Sequence, residues 1–360
     1  MPIHATSTGT DSLSARQLII LRVLVARYLD TGLPVASREV VRSGNLPFSS
    51  ATVRAEFIAL TALGFLAKPH AAAGRLPTEA AVRLYARGLL GAAELSLADR
   101  VQIDTALSAI KDELEGLLRE TSQLLWEQTA CVGVVIPPTT QWGHIEEIRL
   151  VPVAHDNLLV ALLFAWGHVE SRIMALPVDS SKLDLPMLER FVNQELGGKN
   201  LYELDPARLE RAFALAKLRS LAHRAVFEPI EKFVSDLAAT LASKVVSTGI
   251  VPVAMHPAFE GQAQLRTLLR LSQDPSFSPQ VFLDMDPSTR GVRVRIGADL
   301  GGEEFAGLAM VWAPFGRTAG GGKVGIFGPV RMPYERAIPL VSYCADLLER
   351  TFPAPSPLVN

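Results

Sequence analysis

The chain has 360 residues, 49% of them hydrophobic, and a formal charge of −2. That length supports two or three domains with real cores, and no apolar run approaches the roughly 20 residues of a membrane span. Its two cysteines, Cys131 and Cys344, exclude a disulfide framework and a multi-cysteine zinc site; with no signal-peptide pattern at the start, the cytoplasm is the expected compartment.

Residues 1–11 are small and polar and read as a disordered lead-in. Ser14-Ala-Arg-Gln17 fits a capping box, with Ser14 as N-cap and Gln17 reaching back. Leu18, Leu21, Val25 and Tyr28 or Leu29 follow at helical spacing, and Thr31-Gly32 with Pro34 ends this helix. Ser37 can cap a short second helix through Val41. Ser43-Gly44-Asn45 is a turn. Ser49-Ser50 opens a third helix, with Val53, Phe57 and Leu60 on one face and Gly64 at its close. Phe65–Lys68 and Arg75-Leu76 read as short strands around a loop of small residues that contains His70. Thr78 caps a fourth helix that runs to about Leu89. Three helices followed by a hairpin is the order of a winged helix-turn-helix, which is assigned to residues 12–91.

Gly91 to Ala98 is linker-like, and Asp99 to Gln128 reads as one long helix. Strands are predicted at Cys131–Ile136, Ile145–Val153, Leu158–Ala165 and Glu170–Leu176, as part of an antiparallel sheet. From Lys182 to Thr248 the pattern is helical, with Pro186–Leu196 and Pro206–Val246 separated by Gly197-Gly198. Strand character resumes at Gln280–Leu283, Val292–Ile296, Phe305–Trp312 and Lys323–Gly328, and a last helix spans Tyr334 to Arg350. The expected fold class is α+β and multidomain: a sheet domain over 92–181 and 249–352, interrupted by a helical insertion at 182–248. The insertion carries Leu209, Phe213, Val226, Phe233 and Leu237 among its apolar positions. They can form a dimer interface or pack on the chain's own sheet.

Charge is uneven. Ten basic and four acidic residues between Ser12 and Leu90 give that segment a net +6 on an acidic remainder, as expected where a polyanion binds. In the third helix Ser49, Ser50, Thr52 and Arg54 lie near the N-terminus, where base contacts concentrate. Ala51, Ala55 and Ile58 point most directly outward. Arg54 can grip a guanine edge or a phosphate, and the serines with the free N–H groups suit phosphate. Arg38 and Arg42 on the second helix can bracket the backbone. His70 and Arg75 on the wing can reach phosphate or the minor groove. These eight residues are the candidate DNA-binding set.

Other constellations lead to no chemistry. Gly320-Gly-Gly-Lys323 lacks P-loop spacing and runs into a strand, so a hairpin turn is expected. Asp284-Met-Asp286 and the scattered histidines show no metal-ligand pattern. No nucleophile elbow or Cys–His context is present. No enzyme activity, metal or cofactor is expected.

The residues also carry a resemblance. Leu13-Ser-Ala-Arg-Gln17, Tyr28-Leu-Asp-Thr-Gly32, Pro34-Val35, Ser37-Arg38, Ser50-Ala-Thr-Val-Arg54, Pro69-His70 and Ala73–Thr78 resemble the N-terminal module of the HrcA family of heat-inducible transcription repressors. Val292–Gly297 and Gly325–Tyr334, with Arg336 and Leu340-Val341, resemble its far end. The sequence departs from the family pattern at Ala55, usually Asn, and at Ala71-Ala72 of the wing. The resemblance implies a winged helix module, a GAF-like domain and an inserted dimerising domain. It further implies a homodimer on an inverted-repeat operator upstream of chaperone genes, kept active by the chaperonin GroEL. The expected function is a sequence-specific repressor of heat-shock genes. The alternative is a winged-helix regulator controlled by a small effector bound in the GAF-like domain.

Overall fold

The computed structural model describes residues 13–351, apart from 71–72, 109–113, 139–142, 166, 202–203, 205, 218–220, 243–244, 256–261, 274–289 and 317–320. The lead-in, the expected strand at Gln280–Leu283, Asp284–Asp286 and His256 therefore lie outside the described residues.

Helix α1 (Ala15–Thr31) starts on the capping box, with both halves formed: Gln17 N–H donates to Ser14 Oγ (3.2 Å) and Ser14 N–H to Gln17 Oε1 (3.0 Å). It ends on Gly32, left-handed at φ 71°. Helices α2 (Ser37–Ser43) and α3 (Ser50–Ala62) pack against it. Ser37 does not cap α2. The N-cap position is Ala36, with no side-chain bond, and Ser37 is buried as the first helical residue. Val35, just before, is held in a bridge to Arg75, so the chain enters the helix directly from a fixed point. Strands β1 (Leu66–Ala67) and β2 (Leu76–Pro77) pair antiparallel. Thr78 then caps α4 (Glu79–Leu89) through Ala81 N–H.

The stretch expected as one helix over Asp99–Gln128 contains two, α5 (Leu97–Ser108) and α6 (Leu114–Thr129). The strands that follow divide into two sheets. Strand β3 (Val132–Ile136) joins one sheet, and β4 (Ile145–Ala154), β5 (Asn157–Phe164) and β6 (Val169–Ala175) form another in the order β4-β5-β6. The partners of β3 come from far along the chain: β7 (Val246–Thr248), β8 (Arg293–Ile296), β9 (Leu308–Phe315) and β10 (Gly322–Pro329) complete an antiparallel sheet in the order β7-β3-β10-β9-β8. Residues 131–176 therefore do not share a sheet. Both edges of β3 are occupied, by β10 and β7, and Pro137-Pro138 ends it, so β4 has no edge there to pair with.

The interruption of the five-stranded sheet is thus α+β, and runs from the end of β3 to the start of β7. Helix α7 (Leu185–Leu196) covers the edge of β4: Asn193 accepts from Ile148 N–H (2.8 Å) and donates to Ile148 O (2.7 Å), and Glu189 accepts from Leu150 N–H (2.9 Å). Those side chains satisfy an edge that would otherwise offer itself to another strand. Helices α8 (Pro206–Lys217) and α9 (Leu221–Ala242) complete the unit around stacked Phe213 and Phe227. Val246, expected as the end of a helix, lies in β7.

Short α10 (Ile250–Ala254) and α11 (Gln262–Gln273) follow, and α12 (Tyr334–Thr351) ends the fold. Phe305, expected in a strand, sits in a 3-10 turn before β9. On one sheet face α6 lies directly on β3, where a Cβ on Gly133 would stand 1.9 Å from Ser122 O. Ser122 Oγ donates to Gly133 O (2.8 Å) across the same contact. On the other face Val132, Val134, Met310, Trp312 and Phe327 form a second core with Leu268 of α11.

Candidate nucleic-acid interface

Helix α3 is seated by Val53, Phe57 and Leu60, none more than 4% exposed. Each buried side chain contributes about 1.5–3 kcal/mol. The opposite face is open, with Ala51, Arg54, Ala55 and Ile58 exposed. Ser49 is the N-cap: its Oγ accepts from Thr52 N–H (3.0 Å) and lies 2.9 Å from Thr52 Oγ1. Ser49 and Thr52 therefore hold the start of the helix, and Ser50 is half-buried beside them. Arg38 and Arg42 stand one turn apart on exposed positions of α2. Among the described residues, the side chains of Arg38, Arg42 and Arg54 make no ion pair or hydrogen bond.

Arg75 is placed differently from the other basic candidates. Its backbone exchanges two hydrogen bonds with Val35, both 2.9 Å, and its Nε donates to Thr61 Oγ1 (3.2 Å). It ties the base of the hairpin to the end of α3 and is half-buried. His70 is exposed beyond β1, next to exposed Lys68, a cation of the hairpin absent from the candidate set although visible in the sequence.

Glu56, the one acidic residue of α3, is turned away from the open face. Gln17 Nε2 donates to it (3.0 Å) and Arg16 pairs with it at 3.6 Å. Sequence spacing places Glu56 on the flank of α3 but carries no sign of this bond to α1. Nor does it show how the module meets the rest of the chain. Glu79 accepts from Gly307 N–H (2.9 Å). Arg83 Nε donates to Asp299 (2.6 Å) and its Nη2 to Ile296 O (3.1 Å). Tyr85 Oη donates to Glu335 (2.6 Å); burial, reinforced by that carboxylate, pushes the phenol above its ordinary range. At the foot of α1 the Arg331 guanidinium fills the space a Cβ on Gly32 would need. This seam borders a cavity of ≈490 Å³ whose lining includes Leu29, Tyr85, Cys131 and Tyr334.

Both cysteines are buried, and burial pushes each thiol up to about 12, so neither is a thiolate near neutrality. Among the described residues no group of His, Cys, Asp and Glu is arranged to hold a metal ion, and no helix is long and apolar enough to cross a membrane.

The family model of the HrcA protein C-terminal domain matches residues 115–338. A protein of Anaeromyxobacter sp. (strain K) is 32% identical over 96% of this chain and 98% of its own length. Another from Caulobacter vibrioides (strain NA1000 / CB15N) is 30% identical over 95% of each, and one from Halalkalibacterium halodurans 28% over 94% and 97%. A crystal structure of a hypothetical protein shares the fold, with a TM-score of 0.62 at 23% identity over 94% of this chain and 98% of that one. The three relatives are of one class, transcription repressors, each named a heat-inducible transcription repressor. The chain belongs to the HrcA family.

Proposed function

We propose that this chain is a DNA-binding repressor of heat-shock genes, whose module of residues 12–91 is a winged helix-turn-helix with α3 as the reading helix. The observation that carries the reading is the open face of α3: Arg54 unpaired there, Arg38 and Arg42 unpaired on α2, and Glu56 drawn inward by Gln17 and Arg16. Two adjoining helices with Arg38, Arg42 and Arg54 outward, and Glu56 tied inward, suit a groove lined by phosphates. Ser49, Ser50 and Thr52 organise the N-terminal turn. Arg75 orients the wing, while His70 and Lys68 face the backbone.

The five-stranded sheet with its helices is the GAF-like domain, and the unit from β4 to α9 is the inserted dimerising domain. Of its helices, Leu209, Phe213 and Phe227 are buried, the two phenylalanines against each other and Phe191. The uncovered apolar surface lies on the outer sheet face, where Val151, Val153, Val169 and Ile173 are 46–60% exposed. Val151, Leu159 and Ile173 stand in one cross-strand row. A second copy covering that face would give the homodimer. Two linked heads gain effective concentration on an inverted-repeat operator. The chaperonin GroEL is the proposed partner that keeps the repressor active.

Footprinting on the promoter of the source organism's own chaperonin genes tests the reading. Protection of an inverted repeat is expected, strengthened by chaperonin; no protection in either condition overturns it. Arg54→Ala should cost about 1–3 kcal/mol if Arg54 reads a base edge, concentrated at one operator position.

A further inference from the structure

The open face of α3 is flanked by cations, yet its centre is apolar. Val53, Phe57 and Leu60 point into the module, so helical spacing puts Ala51, Ala55 and Ile58 at the middle of the opposite face. All three are exposed, Ile58 by 63%. Polar side chains of the same helix are engaged elsewhere. Thr52 Oγ1 lies 2.9 Å from Ser49 Oγ, Glu56 accepts from Gln17, and Thr61 Oγ1 donates to Phe57 O (2.6 Å) while accepting from Arg75. Arg54 stands one turn before Ile58, exposed on the flank.

Charge decides what covers this face. Arg54 beside Ile58, with Arg38 and Arg42 on α2, repels a second copy of the same module brought face to face, and Glu56, the acid that could offset them, is drawn inward. A polyanion is attracted by the same arrangement, and the major groove of a duplex admits a helix between two rows of phosphates. The base edges on the groove floor then meet Ala51, Ala55 and Ile58. These side chains neither donate nor accept a hydrogen bond. Set against a ring nitrogen, a carbonyl or an amino group of a base, they displace its water and offer no bond in return. One group on the groove floor is apolar, the C5-methyl of thymine.

We infer that Ile58, with Ala55 beside it, is a specificity-determining residue that selects thymine through contact with its C5-methyl, while Arg54 supplies the polar contact next to it. The inference rests on α3 being the reading helix. Ala51 to Ile58 covers two turns, about 10 Å along the helix axis, which matches about three base-pair steps. Each half-site is therefore expected to hold its selected thymines within one stretch of that length, on either strand, with at least one methyl against Ile58. A methyl buried in this way is worth about fourfold in affinity.

The test lets the full-length protein select duplexes from a random pool. Thymines of the enriched sequence are then replaced one at a time by deoxyuridine, which removes the C5-methyl and keeps every hydrogen-bonding group. Binding is followed by fluorescence anisotropy at fixed salt. Uracil at one or more positions of a half-site should weaken binding about fourfold. Ile58→Ala, an exposed change to the best helix former, should weaken binding to the thymine duplex at least as much and remove the difference between thymine and uracil at that position. Arg54→Ala should weaken binding to both duplexes by the same factor. Enrichment of no sequence overturns the reading role of α3 and this inference together. Binding that no single uracil alters, or that Ile58→Ala weakens equally on thymine and uracil duplexes, overturns this inference alone and leaves DNA binding standing. So does a change in the self-association of Ile58→Ala without DNA, measured by sedimentation, which would assign the face to a second copy.

Discussion

Gln17 and Glu56 are joined by a 3.0 Å hydrogen bond across α1 and α3, and the same Gln17 amide closes the capping box that starts α1. One side chain thus sets where the first helix begins and how the exposed helix is held against it. Gln17→Ala should cost about 1–2 kcal/mol of stability, the side-chain half of the capping box plus the bond to Glu56, read by urea denaturation. DNA affinity should fall as well. Glu56→Gln keeps an acceptor for Gln17 and loses only the pairing with half-exposed Arg16, so its stability should change by less than about 0.5 kcal/mol. Equal losses in the two variants would show that the Gln17 bond to α3 contributes nothing.

The module is joined to the sheet domain through α4, where the largely buried Tyr85 donates to Glu335. Tyr85→Phe should weaken the coupling by about 1–2 kcal/mol, a charge-assisted bond of ordinary net value. A double-mutant cycle with Glu335→Gln isolates that term. Additive effects in the cycle would mean that the bond does not couple the two parts.

Ile173 is 60% exposed on the outer face of the three-stranded sheet. Ile173→Glu should leave the helical signal in circular dichroism unchanged and shift sedimentation from dimer to monomer. Operator affinity should drop at least a hundredfold as the second head is lost. A variant that sediments as a dimer would place the dimer contact elsewhere.

Asp99 gives a pH signature. Its bond to the Arg336 guanidinium, then that from Ser96, holds the carboxyl down to about 2. The folded form keeps its charge where the unfolded chain, with a carboxyl near 3.8, takes up a proton. The stabilisation is complete above about pH 4 and fades as pH falls toward 2. Comparing wild type with Asp99→Asn by thermal melts from pH 6 to pH 2 should show a gap that closes on acidification. A gap independent of pH would contradict the pairing.

The front of the chain was legible because its signals are local. Ser14 with Gln17, Thr78 at the start of α4 and the spacing of Val53, Phe57 and Leu60 each act within a turn or two of helix. The sheets were less so. Strand β3 is adjacent in sequence to β4 but pairs with β7 and β10, and nothing within five apolar residues encodes a partner so far along the chain. The same limit hid Arg75's bond to Thr61 and the inward turn of Glu56. Exposure of Arg38, Arg42 and Arg54 followed from helical periodicity; what each neighbour does with its charge did not.

Helix α4 is at once the last helix of the front module and a docking surface for the sheet domain, leaving no slack tether between them. The distance between two α3 helices in a dimer would then be dictated by how the distant three-stranded sheets meet, as the span of a caliper is set at its hinge. Operator spacing would be a property of the whole chain's rigidity, and substitutions far from DNA could retune which half-site separation is accepted.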